Sequence, residues 1–345
     1  ITARRFVIAT GSSPFIPNIA GIDKVPYLTN ENIFELPVIP SHLIIIGGGP
    51  IGLEMAQAYC RLGSRVTVCE AFKVLSKDDE ELAQRLMTLI RGEGVEIYEK
   101  TSVERVEQKG SGVLVHVKAG QHSSVIEGSH LLVAAGRRAN VSDLNLDAAG
   151  VTIGKSGIEV DRSLRTKNKK IYAIGDVIGG LQFTHVANYH ASVILKRILF
   201  RLPSKVKTHA IPWVTFTEPE LAHVGLREQE AQAANPKEKI RVLRWPFHEN
   251  DRAQAESTTD GHLKVIVDHK GRLLGASLLG PHAGELIQMW ALALSQNLPI
   301  KAFVDWISPY PTLSEISKRA AFRFYTDKAN SPFVRRLVRL LAKFG

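Results

Sequence analysis

Cysteine is nearly absent: Cys60 and Cys69 are the only two in 345 residues. Such low usage excludes a disulfide-stapled scaffold and fits a reducing compartment, so the sequence reads as cytoplasmic. The pair has neither CxxC nor CxxxxC spacing, so these residues carry no redox dithiol of that kind. No apolar run reaches the ~18 residues that a membrane-spanning helix needs. Internal repeats and low-complexity stretches are also missing, which argues against a solenoid or a disordered chain. An initiating Met is lacking too. The sequence opens ITARRFVIATG, inside a strand-like run, so the native start and any targeting signal are expected upstream of Ile1.

What is present is an ordinary globular composition at a length that suggests two to three domains. The net charge is +10. Basic residues look scattered and mixed with acids, so no nucleic-acid partner is expected. One region differs, the C-terminal tail. RRFVIATGSSP predicts a buried strand ending in a Gly/Ser turn. A Pro- and Asn-rich connector leads to HLIIIGGGPIGLEMAQAYCRLGSRVTVCE, which is strand, glycine turn, helix and strand, a βαβ unit of a parallel sheet. KDDEELAQRLMTLIRGEG is a second amphipathic helix, and the next stretch to Gly120 reads as strands with a hairpin. SHLLVAAGRRAN and KIYAIGDVIGG are further strands ending in glycine turns. Beyond Val206 the pattern suggests an antiparallel sheet with helices, an α+β layout.

Gly47, Gly49 and Gly52 form a GxGxxG that follows the strand LIII and opens a helix, with Pro50 and Ile51 inside the turn. Gly47 permits the tight turn, Gly49 lets the backbone approach a pyrophosphate, and Gly52 lets helix and strand pack closely. The helix N-terminus offers free N–H groups to the phosphates. Glu70 ends the next strand about 20 residues on, where an acid bonds a ribose 2′-OH. That favours NADH over NADPH, although Arg65 and Lys73 stand nearby in sequence. Glu54, two residues beyond Gly52, has two readings: a partner for the helix dipole, or a side chain facing the nicotinamide. Asp176 could likewise cap the turn after its strand. The histidines show no metal spacing, so no metal site is expected.

Taken together, VIATGSSPFIP, IIIGGGPIGLEMA, LLVAAGRRAN, IYAIGDV, FTHVA, WVTFTEPELAHVG and YPTLSE resemble, in order and spacing, the pyridine nucleotide-disulfide oxidoreductases, including mercuric reductase and dihydrolipoamide dehydrogenase. The resemblance implies α/β architecture: two nucleotide-binding Rossmann-like domains, the FAD part incomplete and the NAD(P) part inserted, plus an α+β dimerisation domain. Its bounds would be 1–23 and 141–208 for FAD, 24–140 for NAD(P) and 209–330 for the homodimer interface, with 331–345 as a tail. Thr10 and Gly11 would lie by the flavin. Gly175 and Asp176 would hold its ribityl and phosphate region, and Thr184 would sit near the isoalloxazine. Gly136 and Arg137 would border the NAD(P) cleft, and Glu54 would stand beside the nicotinamide. The family's own first GxGxxG and CxxxxC do not occur in this sequence, and they are expected upstream of Ile1.

Tyr310 stands where disulfide-reducing members carry a proton-handling His, five residues before Glu315. Mercuric reductases resemble this chain in having Tyr there. Simple packing is the other reading of Tyr310. The implied function is transfer of electrons from NAD(P)H through FAD to a dithiol and then to a small-molecule disulfide or metal–thiol substrate. Tyr310 and Glu315 would be supplied by the partner subunit. Alternatives are a transhydrogenase or NADH oxidase without disulfide chemistry, or a non-catalytic dimerising or membrane-associated module. The tail SPFVRRLVRLLAKFG predicts a helix capped by Ser331, with apolar residues on one face and cations on the other. It would pack on its own dimer or make peripheral contact with an anionic membrane through residues 332–345.

Overall fold

The structure is a computed structural model that describes residues 2–234, 236, 239–329 and 332–344. The expected Ser331 cap lies outside them. In chain order the strands are β1 (Phe6–Ile8), β2 (Ser12–Pro14), β3 (His42–Ile46), β4 (Arg65–Cys69), β5 (Glu96–Tyr98), β6 (Thr101–Lys109), β7 (Gly112–Ala119), β8 (His122–Gly128), β9 (His130–Val133), β10 (Arg137–Ala139), β11 (Ile171–Ala173), β12 (Pro212–Thr215), β13 (Glu220–Gly225), β14 (Ile240–Pro246), β15 (His262–Asp268) and β16 (Leu273–Gly280). The helices are α1 (Pro50–Arg61), α2 (Glu80–Gly92), α3 (Thr184–Ile198), α4 (Glu228–Ala234), α5 (Asp251–Ala255), α6 (Ala283–Ser295), α7 (Lys301–Asp305), α8 (Glu315–Ala329) and α9 (Pro332–Leu341). The chain divides into two compact units, residues 1–52 with 101–208, and residues 53–100 with 209–345.

In the first unit β3 runs parallel to β9, and all five residues of β3 are buried. A strand covered on both faces reads as the continuous apolar run HLIII. β6, β7 and β8 form an antiparallel meander, and β8 is a strand the sequence did not announce. β1 pairs parallel with β11, and β10 pairs antiparallel with β2. The first strand departs from expectation. It is short, and Phe6 and Val7 are 43% and 45% exposed. β1 is laddered to β11 alone among the described residues, and of its three side chains Ile8 packs against the core while Phe6 and Val7 face outward. The core of this unit gathers around Ile158, Ile171, Ala173 and Val177, with Tyr172 and Val193 in an adjoining cluster.

The basic residues are less scattered than the linear reading held. Segments 162–170 and 195–207 carry five Lys or Arg each and no acid. Removing those ten from 44 leaves 34, equal to the Asp and Glu count, so they account for the whole net charge. The fold brings the two together: the Val206 N–H donates to the Arg162 carbonyl at 2.7 Å.

The second unit pairs β4 with β5 in parallel and holds a five-stranded antiparallel sheet ordered β12-β13-β16-β15-β14. α6 and α8 cover that sheet, with Trp290 stacked on Phe303 at 3.9 Å beside Phe247 and Phe324. α2 shows how sequence becomes packing. Asp79 caps it by accepting the Leu82 N–H at 3.3 Å. Leu82, Leu86 and Ile90 then recur on one face and are buried, and Gly94 ends the run with φ +106°. These parallel ladders and the antiparallel sheet are the α/β and α+β parts the sequence predicts. Among the described residues no helix is long and apolar enough to cross a membrane.

Candidate functional site

The glycine turn after β3 behaves as its spacing demands. Gly47 has φ +114°, and a Cβ there would lie 2.4 Å from the Ala134 carbonyl oxygen. A Cβ on Gly52 would lie 2.0 Å from the Gly47 carbonyl oxygen, so strand and helix meet closer than any side chain allows. Gly49 has open space where its Cβ would be. Pro50 then starts α1, using its fixed φ where no helical N–H bond is needed. The first turn of α1 leaves N–H donors without intrahelical partners. The result is an open backbone cradle at a helix N-terminus.

Beside it in the same unit is a cavity of about 470 Å³, lined by Gly11, Ile51, Arg137, Gly175, Asp176 and Thr184 among others. Asp176 lies on the 3-10 turn that follows β11. It is no backbone cap there: its Oδ2 accepts the Ser12 hydroxyl at 2.6 Å. Arg137 donates from Nε to the Ser12 hydroxyl oxygen at 2.7 Å and from Nη2 to the Ser12 carbonyl at 2.6 Å. Its Nε stands 3.8 Å from Asp176 Oδ2. Ser12 therefore joins a cation to an anion, a role the sequence reading missed although Ser12 lies within the TGSSP turn. Gly136, just before β10, has φ +117° and accepts the Phe15 N–H at 2.9 Å.

Thr10 does not line the cavity. Its hydroxyl donates to the Asn140 carbonyl at 2.7 Å and so ties the Gly11 turn in place. Thr184 opens α3, whose N-terminal end contributes Thr184 and Ala187 to the lining. From the same helix the buried His190 accepts the Gly175 N–H on Nδ1 at 3.2 Å. Burial pushes its pKa down, so the ring is a neutral brace for the turn. The donor set suits a molecule with both polyol and diphosphate parts. Asp176 accepts hydroxyl hydrogens, and Arg137 with the end of α3 favours negative charge.

In the second unit Glu54 is the fifth residue of α1, outside the first turn, which removes the dipole-partner reading. Its Oε1 accepts the Phe216 N–H at 2.8 Å. Burial raises its pKa, and that hydrogen bond opposes the rise. Glu70 follows β4 and accepts the Phe72 N–H at 2.8 Å. The two nearby cations are engaged with other acids, Arg65 with Glu96 at 2.8 Å and Lys73 with Glu80 at 2.6 Å. Cys60 donates to the Glu93 carbonyl, and buried Cys69 has its thiol pushed up to about 12 by desolvation.

Tyr310 is 69% exposed, which removes the core-packing reading within this chain. Its hydroxyl donates to Asp251 Oδ2 at 2.8 Å, and that bond raises its pKa first, with the carboxylate's charge adding to it. Glu315 begins α8 and accepts from Arg319 Nε at 2.9 Å. The Asp251 partner had no sequence signal, since it lies 59 residues away. Among the described residues no three His, Cys, Asp or Glu side chains gather to hold a metal.

Comparison with known proteins matches residues 1–191 to the family described as pyridine nucleotide-disulphide oxidoreductase, and residues 211–321 to its dimerisation domain. A mercuric reductase from Bacillus cereus is 38% identical over 330 residues, covering 95% of this chain and 52% of that protein. A dihydrolipoyl dehydrogenase from Geobacillus stearothermophilus is 35% identical, covering 93% of this chain and 68% of the relative. The Cu(II) complex of the HOCl-induced flavoprotein disulfide reductase RclA from Escherichia coli superimposes with a TM-score of 0.84 at 32% identity, covering 92% of this chain and 74% of that one. The chain thus spans about half the length of the Bacillus relative.

Proposed function

Because this chain belongs to the pyridine nucleotide-disulphide oxidoreductase family, we propose that it is the larger part of an FAD-dependent NAD(P)H oxidoreductase acting on a disulfide or a metal–thiol complex. The family implies FAD, NAD(P)H and, through its dimerisation domain, a homodimer. The single observation that carries the reading is the cavity in the first unit, where Asp176, Ser12 and Arg137 meet the N-terminal end of α3. Those residues fit the ribityl and diphosphate of a flavin. Asp176 would accept ribityl hydroxyls and the α3 N–H groups would neutralise phosphate, while Arg137, expected at the NAD(P) cleft, lines this cavity and would add its charge there. When bound, the flavin supplies the relay of electrons from reduced nicotinamide to the acceptor.

Other residues of the chain would position the dinucleotide and the substrate. Gly49 and the first turn of α1 would take the pyrophosphate of the dinucleotide. Glu70 would take ribose hydroxyls, and the pairing of Arg65 and Lys73 with other acids supports NADH as the preferred donor. Glu54, held by the Phe216 N–H, would place the nicotinamide. Tyr310, its hydroxyl proton held by Asp251, would contact the substrate across the dimer, with Glu315 beside it. The proposed domains are 1–23 with 141–208 for FAD, 24–140 for NAD(P) and 209–330 for dimerisation. We propose that α9, exposed along its length, lies on the second subunit.

Cys60 and Cys69 have raised pKa values, so neither is a candidate for the dithiol of that reaction. The test is anaerobic titration of the purified full-length protein with NADH and NADPH, followed by candidate disulfide, metal–thiol and quinone acceptors. Bleaching of a bound flavin by NADH supports the proposal. A colourless protein that refuses FAD on reconstitution and ignores both nicotinamides ends it.

A further inference from the structure

The outer face of α3 does not match a solvated helix. Val193 and Ile194 are buried inward, against Leu164 and Tyr172. Yet Leu195 is also exposed, and the turn after the helix exposes Leu199, Phe200 and Leu202, Phe200 at 69%. Lys196, Arg197 and Arg201 are interleaved with them. Four large apolar groups beside the segments that hold the entire net charge are a costly surface to leave in water. The same place has a recess of about 350 Å³ lined by Arg165, Arg197 and Arg201, with Tyr172, Leu202 and Pro203 as its apolar wall. Its arginines are weakly engaged, Arg165 with Asp161 at 3.7 Å and Arg197 with the Ser204 carbonyl at 3.5 Å. A guanidinium cluster of this kind takes a phosphate monoanion or diester.

We propose that the end of α3, with the loop through Lys207 and the facing segment 162–170, is a docking surface for an anionic phospholipid bilayer. Headgroup phosphates enter the arginine recess, while Phe200 and the leucines enter the interfacial region. Nucleic acid would satisfy the arginines and leave the leucines in water. A second copy of this chain would bury the leucines, but a two-fold contact would set this basic patch against itself. A surface that is both negative and apolar satisfies the two sets of side chains together.

Co-sedimentation of the full-length protein with vesicles decides it. The vesicles are phosphatidylcholine alone, or phosphatidylcholine with roughly one-third phosphatidylglycerol. The expected result is binding to the anionic vesicles alone, weakened by added salt. Arg197→Glu with Arg201→Glu, and separately Phe200→Ser with Leu202→Ser, each lower it by roughly tenfold or more, with circular dichroism unchanged. Both losses persist in a protein lacking residues 332–345. The proposal is overturned if neither vesicle binds, if both bind equally, or if the two double variants bind like the parent. It is also overturned if the tail deletion alone removes all binding, if inorganic phosphate displaces the protein from vesicles beyond what sodium chloride of equal ionic strength does, if a duplex oligonucleotide binds through the same residues without lipid, or if Arg197→Glu with Arg201→Glu converts a dimer to a monomer in gel filtration.

Discussion

Replacing Lys264 by Met tests the electrostatic reasoning for the second unit. Lys264 and Asp79 have side chains only 4% and 3% exposed, and Nζ stands 2.9 Å from Asp79 Oδ2. Nζ also reaches Glu228 at 2.8 Å and Glu81 at 3.1 Å. These two partners are solvent-accessible, and Glu81 keeps Arg244 at 2.8 Å. Their share is therefore on the order of 0–1 kcal/mol each. Asp79 is different, because without Lys264 it keeps the Leu82 N–H at 3.3 Å and no ammonium. Leaving one buried charge of a pair uncompensated costs about 3–5 kcal/mol.

The stem of Met preserves the packing, so the loss is read as electrostatic. All four tryptophans, Trp213, Trp245, Trp290 and Trp306, lie in the second unit, so urea unfolding followed by their fluorescence reports on it. Asp79→Asn added to Lys264→Met recovers most of the loss. A deficit below about 1 kcal/mol at pH 8 would refute the reasoning.

Three further outcomes are expected. Asp176→Ala removes the acceptor of the Ser12 hydroxyl and leaves Arg137 without its carboxylate, so flavin content after purification falls by tenfold or more, about 1.4 kcal/mol; full retention of flavin would count against the site. Glu70→Arg shifts the ratio of kcat/KM for NADPH over NADH upward by roughly tenfold or more, because an acid beside a 2′-phosphate is replaced by its partner; an unchanged ratio removes Glu70 from the site. Asp78 is raised to about 6, chiefly by burial and against the Trp213 indole N–H it accepts at 2.8 Å. A raised carboxyl favours folding at low pH, and that contribution fades as pH climbs through about 6. Asp78→Asn keeps an acceptor for Trp213 and flattens this dependence, so the variant gains on the parent between pH 5 and pH 8, measured by the same fluorescence transition. A loss relative to the parent over that range would contradict the assignment.

Local order was legible wherever one element carries its own explanation. The run HLIII, the glycines at 47, 49 and 52, the capped amphipathic α2 and the turn after Lys109 each declare themselves within a dozen residues. The family resemblance carried by the ordered motifs likewise implied a flavin and a nicotinamide, and the family match agrees. What the sequence could not declare were meetings across long stretches of chain. Ser12 reaches Asp176 over 164 residues and Arg137 over 125, and Tyr310 finds Asp251 over 59. The exposure of Phe6 and Val7 escaped it as well, because β-branched and aromatic composition reports preference for a strand and not what covers it.

Periodicity and glycine placement act through neighbours along the backbone, so the amino-acid order alone determined most of the elements and the glycine turn after β3. Which carboxylate meets which hydroxyl or cation depends on closing loops of a hundred residues, and which charges pool on one face depends on segments packing side by side. Tertiary structure alone decided those, including the gathering of the net charge around the end of α3.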